Sequence, residues 1–234
     1  HGDLDVAEGA LVAGGWSSTV TDAYDQRYYR EWSHELPPMR AEGHALEVDL
    51  HHGIAPVTSR CRPDSAALWA AKRTLPDSRY FVLDPADQLI HAVVHLFQDT
   101  ELDVRLRDLL DIDAMLRGLP GEDAALRSLA TRVSQFGAGG LFWHALTACQ
   151  RWLGTPIPSV LWQEPPSRIA QEVMNWMLPR TLLPRLPEEG PGLGGTIAGK
   201  LAQLRYHRMR MPLGLLFRHG LAKGWRRLGQ RGAR

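Results

Sequence analysis

The fold of this chain depends first on one short run in which apolar and acidic residues alternate, Ala45-Leu46-Glu47-Val48-Asp49-Leu50-His51-His52. Strict alternation is typical of an extended strand with one apolar and one polar face. It predicts that Leu46, Val48 and Leu50 lie on one face and that the acids lie on the other with His51. Acidic residues form strands poorly, so two of them in one strand need an explanation.

Two explanations of these acids stay open. Carboxylates held on a rigid strand are good metal ligands, which makes Glu47 and Asp49 candidates for binding a metal ion. Alternatively, the strand lies at the edge of a sheet and its polar face contacts water. The alternation fits both.

The residues before this run predict a small sheet with one helix. Residues 3–16 have helical spacing, with Asp3 as a cap and Gly14-Gly15 as the stop, and residues 16–20 follow as a short strand. Pro37 and Pro38 cannot donate hydrogen bonds to a ladder, so their segment belongs at an edge or in a loop. We therefore expect a mixed or antiparallel sheet here.

After Pro56 the pattern becomes helical. Asp84-Pro85-Ala86-Asp87 is a strong helix start, because a capping acid precedes a proline at the first helical position. Amphipathic helices are predicted for residues 64–72, from 85 onward, from 101 to 118, and for 122–135, 140–153 and 166–178. Such helices pack as an antiparallel bundle. The predicted fold class is therefore α+β, with a small partial sheet followed by a larger helical bundle and a basic helical tail.

Composition divides the chain into three predicted regions: an α/β region over 1–58, a helical bundle over 59–178, and a Pro/Gly linker with a basic tail over 179–234. No acid follows Glu189, whereas ten lysines and arginines do. The tail is predicted to be helical in two pieces, broken at Pro212. A basic amphipathic segment suits an anionic membrane surface or a nucleic-acid backbone. It is equally compatible with helices docked on the bundle.

The formal net charge of +1 over 234 residues excludes no class of partner. Cys61 and Cys149 lie far apart without metal-type spacing, which indicates unpaired thiols in a reducing compartment. No apolar run reaches the roughly 20 residues that span a bilayer, and the start does not resemble a signal peptide. We expect a cytoplasmic protein.

Two polar pairs lie in the predicted bundle. His91 and His95 are one helical turn apart, but no glutamate accompanies them in the metalloprotease arrangement, so a zinc site is not expected there. Arg107 and Asp111 have the spacing of an i, i+4 ion pair, which on a surface is worth about 0.3–0.5 kcal/mol. If Arg107 faced the sheet, its rigid guanidinium would suit a phosphate.

Four motifs in their order resemble an uncharacterised bacterial nucleotidyltransferase family of the polymerase-beta-like superfamily. They are His34-Glu35-Leu36-Pro37-Pro38, Leu46-Glu47-Val48-Asp49-Leu50-His51, Leu83-Asp84-Pro85-Ala86-Asp87 followed by Leu89-Ile90-His91 and His95, and Arg105-Leu106-Arg107-Asp108-Leu109-Leu110-Asp111. The resemblance covers residues 1–155. The order and spacing are more specific than any single motif.

The resemblance implies transfer of a nucleoside monophosphate from a nucleoside triphosphate to an acceptor that the sequence does not identify, with magnesium as the metal. In that family two acids of an Asp-x-Asp strand and a third, separate carboxylate hold the metals. Asp49 matches the third carboxylate and is the expected catalytic residue and metal ligand, with Glu47 a second candidate ligand. By the same resemblance, the residues expected to bind substrate are His34, His51, Arg107 and Asp111.

The family's glycine-serine turn and Asp-x-Asp strand have no convincing counterpart here. Gly14-Gly15-Trp16-Ser17 followed by Asp22 and Asp25 lacks the spacing, and Asp3-Leu4-Asp5 lacks the glycine turn while capping explains Asp3. We therefore expect the first catalytic motif upstream of His1 and a truncated chain that is inactive by itself. The alternative is a non-catalytic relative that binds a protein partner or an anionic surface through the bundle and residues 196–234.

Overall fold

The computed structural model describes residues 2–98, 102, 104–185, 188–210, 212 and 214. Its helices are α1 (Gly2–Ala13), α2 (Ala23–Trp32), α3 (Ser65–Ala71), α4 (Pro85–Gln98), α5 (Leu106–Arg117), α6 (Asp123–Gln135), α7 (Gly139–Leu153), α8 (Arg168–Thr181) and α9 (Gly192–Arg210), with a 3-10 turn at Ser159–Leu161. Its strands are β1 (Trp16–Ser18), β2 (Met39–Ala41), β3 (Arg73–Thr74) and β4 (Phe81–Val82). This composition confirms the predicted α+β class.

The chain forms two compact units. The first comprises His1–Thr58 and Arg62–Asp84, and the second comprises Ser59–Cys61 and Pro85–Arg234. Both small sheets, β1-β2 and β3-β4, lie in the first unit and are antiparallel. Helices α4 to α9 lie in the second unit, which is the helical part of the molecule.

The first unit begins with the predicted helix and strand. Helix α1 ends at Ala13, and Gly15 follows with φ of +87°, a conformation that glycine adopts without steric cost. The chain then enters β1, where Trp16 lies opposite Ala41 and Ser18 opposite Met39 of β2. The helix thus stops three residues before its predicted end.

Helix α2 was not predicted from the sequence. The Asp22 carboxylate accepts hydrogen bonds from the backbone N–H groups of Tyr24 (2.9 Å) and Asp25 (3.0 Å), so Asp22 is its N-cap. The rings of Tyr24 and Tyr28 contact Trp32 edge to face, with centroids 6.3 and 5.9 Å away. Asp22 is therefore a capping residue, and the aromatic residues stabilise one another within the helix.

The alternating run does not form the continuous strand predicted for it, because residues 45 and 46 lie in a bend and only Val48 and His51 form isolated bridges. Val48 and Met39 exchange two backbone hydrogen bonds of 2.9 Å, and the next paired residues are Glu35 and His51. Three residues separate Glu35 from Met39 but only two separate Val48 from His51, which is the residue count of a β-bulge. The bulge contains both prolines, which have no N–H to donate. Leu46, predicted to face inward, is 78% exposed.

In the second unit the predicted apolar face of α4 is confirmed. Each of its five predicted core residues is at most 1% exposed: Leu89, Ile90, Val93, Val94 and Phe97. Helix α4 packs against α5, α7 and α9, and α8 packs against α9. Helix α5 begins at Leu106, five residues after its predicted start.

Asp87, an acid in the first turn of α4, takes part in a buried ion pair. Its side chain is 0% exposed and forms a bidentate ion pair with Arg132 of α6. Arg132 Nη2 lies 2.7 Å from Asp87 Oδ2, and Arg132 Nε donates to Oδ1. A guanidinium supplied by another helix thus compensates the burial of this carboxylate.

The described part of the basic tail is a docked helix. Helix α9 confirms the first predicted helical piece, whereas the second piece, after Pro212, lies outside the described residues. Arg205 donates a 2.5 Å hydrogen bond to the Phe97 carbonyl oxygen, so this cation belongs to the bundle rather than to a solvated face. Over the described ranges, the helices are too short or too polar to cross a membrane.

Both cysteines are buried, and neither forms a disulfide. Burial raises the pKa of the Cys61 thiol to about 12, and it does the same for Cys149. A thiol with so high a pKa is protonated at neutral pH and is a poor nucleophile. The prediction of two unpaired thiols is confirmed, and both behave as small core residues.

Candidate functional site

The Glu35–His51 pair forms the centre of the candidate site in the first unit. The amides on either side of this pair, those of Leu36 and His52, donate to carbonyl oxygens of the opposite segment at 2.8 and 2.9 Å. Glu35 and His51 are therefore a non-hydrogen-bonded antiparallel pair, in which the Cα atoms approach to about 4.5 Å and side chains lie close together. His51 Nε2 lies 3.4 Å from Glu35 Oε2.

His34 joins this pair. It follows Ser33, the extended C-cap that ends α2, and the centroid of its ring lies 5.1 Å from that of His51. One ligand atom each of His34, Glu35 and His51 lies within 4.8 Å of the other two. No other set of three His, Cys, Asp or Glu residues is gathered so closely in the part of the chain that the structure describes.

The cluster is open on one side. His34 and Glu35 are half-buried, whereas the His51 side chain is 41% exposed. His52, which follows in the chain, has its pKa held below the ordinary value by burial and by the neighbouring His51. Burial therefore favours the neutral imidazole of His52, while the exposed edge of the cluster is accessible to a ligand from solvent.

The structure does not bring the predicted metal ligands Asp49 and Glu47 into this cluster. Glu47 forms a 2.7 Å ion pair with Arg40 on the surface. The Asp49 side chain is exposed, and among the described residues none forms a hydrogen bond or an ion pair with it. Asp3 and Asp5 lie in the first turn of α1. The described residues thus do not gather the three carboxylates that a two-magnesium site needs.

Arg107 and Asp111 lie on α5 in the second unit and are both exposed. The ion pair predicted between them does not form. Arg105 instead pairs with Asp108 at 2.8 Å, three residues further on. Arg107 and Asp111 therefore present their charges to solvent.

His91 and His95 lie on α4 as predicted, with ring centroids 6.1 Å apart. Within the described ranges no third His, Cys, Asp or Glu completes a metal cluster with them. The expectation of no zinc site at this pair stays a prediction.

Glu35 is the residue of the cluster to which sequence analysis gave no role. A signal for it was present in Gly43, which has φ of +80° in a turn where the His44 N–H donates to the Ala41 oxygen at 3.2 Å. If the chain reverses at Gly43, Glu35 and His51 are equally distant from the turn. Met39 and Val48 are paired at four and five residues from Gly43, and the extra residue of the bulge restores equal distances at Glu35 and His51.

The chain was compared with protein families, curated proteins and solved structures. No curated protein and no solved structure matches the chain. A family described as an uncharacterised nucleotidyltransferase matches residues 1–154 of the 234, a range that includes the cluster, Asp49, Arg107 and Asp111. Since the match spans more than half of its length, the chain belongs to this uncharacterised nucleotidyltransferase family.

Proposed function

We propose that this chain acts in polymerase-beta-like nucleotidyl transfer, in which a nucleoside monophosphate passes from a nucleoside triphosphate to an acceptor. Asp49 is the residue through which it binds the magnesium complex of the triphosphate. The observation that carries this proposal is the state of Asp49, an exposed carboxylate without a partner among the described residues, two positions before His51. Membership of the nucleotidyltransferase family supports the reaction class.

A single carboxylate suits a magnesium ion that arrives with its nucleotide. Magnesium takes oxygen ligands, keeps several waters, and is commonly held by one or two carboxylates together with substrate phosphates. When bound, it neutralises phosphate charge. Among the residues that the structure describes, the acids for a second metal are not gathered around Asp49. We therefore propose that residues 1–234 bind the nucleotide without transferring it by themselves.

The predicted substrate-binding residues suit anionic and polar groups. The exposed His51 imidazole can donate to a phosphate oxygen, and the half-buried His34 can do so from the same cluster. The exposed Arg107 guanidinium offers a planar fork that matches phosphate geometry. Asp111 can accept a hydrogen bond from an acceptor hydroxyl. We assign His34 and His51 of the first unit to nucleotide binding as part of the proposal. For Arg107 and Asp111 of the second unit, we propose only that each binds a substrate group.

The test is nucleotide binding in the presence and absence of magnesium. We expect the chain to bind ATP or GTP only with Mg²⁺, and Asp49→Asn to weaken this binding at least about tenfold, because a charge-assisted contact is worth about 1.5–3 kcal/mol. Glu47→Gln is the matched control, since Glu47 is an exposed acid in the same segment whose partner is Arg40. Equal binding by Asp49→Asn and the unaltered chain contradicts the role of Asp49.

Transfer is tested separately with a triphosphate labelled in its α-phosphate. We expect no labelled product from residues 1–234. Labelled product would overturn the proposed inactivity. If Asp3→Asn or Asp5→Asn then abolished the product, the Asp-x-Asp pair would be Asp3-Leu4-Asp5, which would have to leave helix α1 to act.

A second candidate function is an interaction module, and the exposed apolar residues of α8 and α9 favour it. On α8, Ile169, Val173 and Trp176 recur on one side and are 78%, 40% and 36% exposed. On α9, Leu193, Ile197 and Leu204 recur similarly and are 79%, 45% and 61% exposed. Apolar side chains at helical spacing beside basic residues suit an anionic membrane surface.

This second candidate is tested by sedimentation with vesicles. We expect the chain to sediment with vesicles that contain phosphatidylserine at low salt. The double variant Ile197→Asn with Leu204→Asn should reduce the bound fraction severalfold. Vesicles of phosphatidylcholine alone are the control for charge. If the chain sedimented with neither vesicle type, the interaction module would have to bind a protein partner instead.

A further inference from the structure

We propose that His34, Glu35 and His51 form a binding site for a divalent first-row transition-metal ion, with zinc as the expected occupant. Its metal ligands differ from Asp49, the proposed magnesium ligand. His34 and His51 are also proposed to bind the nucleotide, but metal binding by the three side chains does not depend on the proposed function. It rests on the placement of the three side chains in the first unit.

Backbone geometry accounts for this placement. A non-hydrogen-bonded antiparallel pair brings the side chains of Glu35 and His51 to the same face. The distance of 3.4 Å between His51 Nε2 and Glu35 Oε2 equals about the edge of a tetrahedron of ligands around zinc, given metal–ligand bonds of about 2.1 Å. His34 places its ring 5.1 Å from that of His51, centroid to centroid. All three ligand atoms lie within 4.8 Å, so small side-chain rotations suffice to bind one ion.

The donor atoms of the three side chains determine which metal ions the site prefers. Two imidazole nitrogens and one carboxylate oxygen suit zinc, cobalt, nickel and iron, whereas magnesium prefers oxygen ligands only. Three protein ligands leave a position open, which is the arrangement of zinc sites that bind water or a substrate in the fourth position. The 41% exposure of the His51 side chain provides access to that position.

An ion pair between Glu35 and His51 accounts for the cluster less completely than a bound metal ion does. It requires a protonated imidazole, and partly exposed pairs of this kind contribute little stability. A metal ion accounts for all three side chains at once.

The test is titration of the chelator-treated full chain with Co²⁺, which absorbs visible light strongly in a tetrahedral site. We expect one Co²⁺ per chain with tetrahedral absorption, and displacement by Zn²⁺ but not by Mg²⁺. His51→Gln, His34→Gln and Glu35→Gln should each weaken Co²⁺ binding at least about tenfold. His51 is exposed, so His51→Gln keeps the fold, which circular dichroism checks.

The controls separate this site from other candidates. His44→Gln changes an exposed histidine of the same unit, and His95→Gln disrupts the pair on α4; both should leave Co²⁺ binding unchanged. Asp49→Asn should also leave it unchanged, so the magnesium–nucleotide proposal can fail while this one stands. Absence of tetrahedral absorption overturns the proposal. So does Co²⁺ binding that His95→Gln abolishes and His51→Gln does not.

Discussion

Among single residues, Arg132 has the clearest structural role, because it compensates the charge of a carboxylate that is 0% exposed. Replacing one partner of a buried ion pair leaves the other charge without compensation, at a cost of about 3–5 kcal/mol. We expect Arg132→Ala to lower the free energy of unfolding by this amount in urea denaturation.

Arg127 lies on the same helix and provides the matched control. Its 3.4 Å ion pair with Asp123 joins side chains that are 62% and 79% exposed. Arg127→Ala should therefore change the free energy of unfolding by no more than about 0.5 kcal/mol. Equal losses for the two variants would show that burial does not distinguish these ion pairs.

We expect His144, on α7, to make the free energy of unfolding depend on pH. Burial first, and then the nearby Arg205, lower its pKa from 6.5 to about 4. As pH falls from 6.5 towards 4, the unfolded chain binds a proton at this histidine while the folded chain does not, so the free energy of unfolding decreases. The decrease from this group is up to about 3 kcal/mol, and below pH 4 it ends.

This pH dependence is measured as the difference between the unaltered chain and His144→Leu. We expect the variant to lose less stability than the unaltered chain between pH 7 and pH 4. Leu46→Ala is the control, because it changes an exposed residue that does not titrate, and this variant should keep the original slope. The same slope for His144→Leu as for the unaltered chain would refute the role of His144.

At the scale of elements, apolar residues of the two paired segments of the first unit differ widely in burial. Met39, in β2, is 2% exposed, whereas Leu46, the first apolar residue of the alternating run, is 78% exposed. We expect Met39→Ala to cost about 2–5 kcal/mol of unfolding free energy. Leu46→Ala should cost less than about 0.5 kcal/mol, although the alternation places Leu46 on the apolar face of the predicted strand. Denaturant unfolding of the two variants checks this. A large loss of unfolding free energy for Leu46→Ala would instead support the continuous strand predicted from alternation.

Several elements were predictable because their signals are local. The proline and capping acid before α4, and the apolar spacing along α4, act within a few residues of one another. Helix α2 was missed because its aromatic residues hide the apolar periodicity, although Asp22 is a good N-cap. The register between residues 34–39 and 48–52 was not predictable from alternation, since a single extra residue at the proline pair shifts the pairing.

For the whole molecule, metal binding should appear as a gain in stability. A ligand that binds only the folded state at 100 times its Kd adds about 2.7 kcal/mol to the free energy of unfolding. We expect Zn²⁺ to raise the melting temperature of the full chain and a chelator to reverse the rise. His51→Gln, which binds the metal at least about tenfold more weakly, should show a clearly smaller rise at the same Zn²⁺ concentration. A rise of equal size in His51→Gln would assign the stabilisation to other residues.

The sequence by itself determined the α+β class, the helices of the second unit and the family, because helical periodicity, capping and ordered motifs are properties of neighbouring residues. It also identified His34 and His51 as polar residues of interest, by resemblance. Tertiary structure decided that Glu35 joins them, that Glu47 pairs with Arg40 and that Asp87 is buried against Arg132. These outcomes depend on a bulge and on helix packing that bring distant residues together, and a pattern along the chain does not contain those distances.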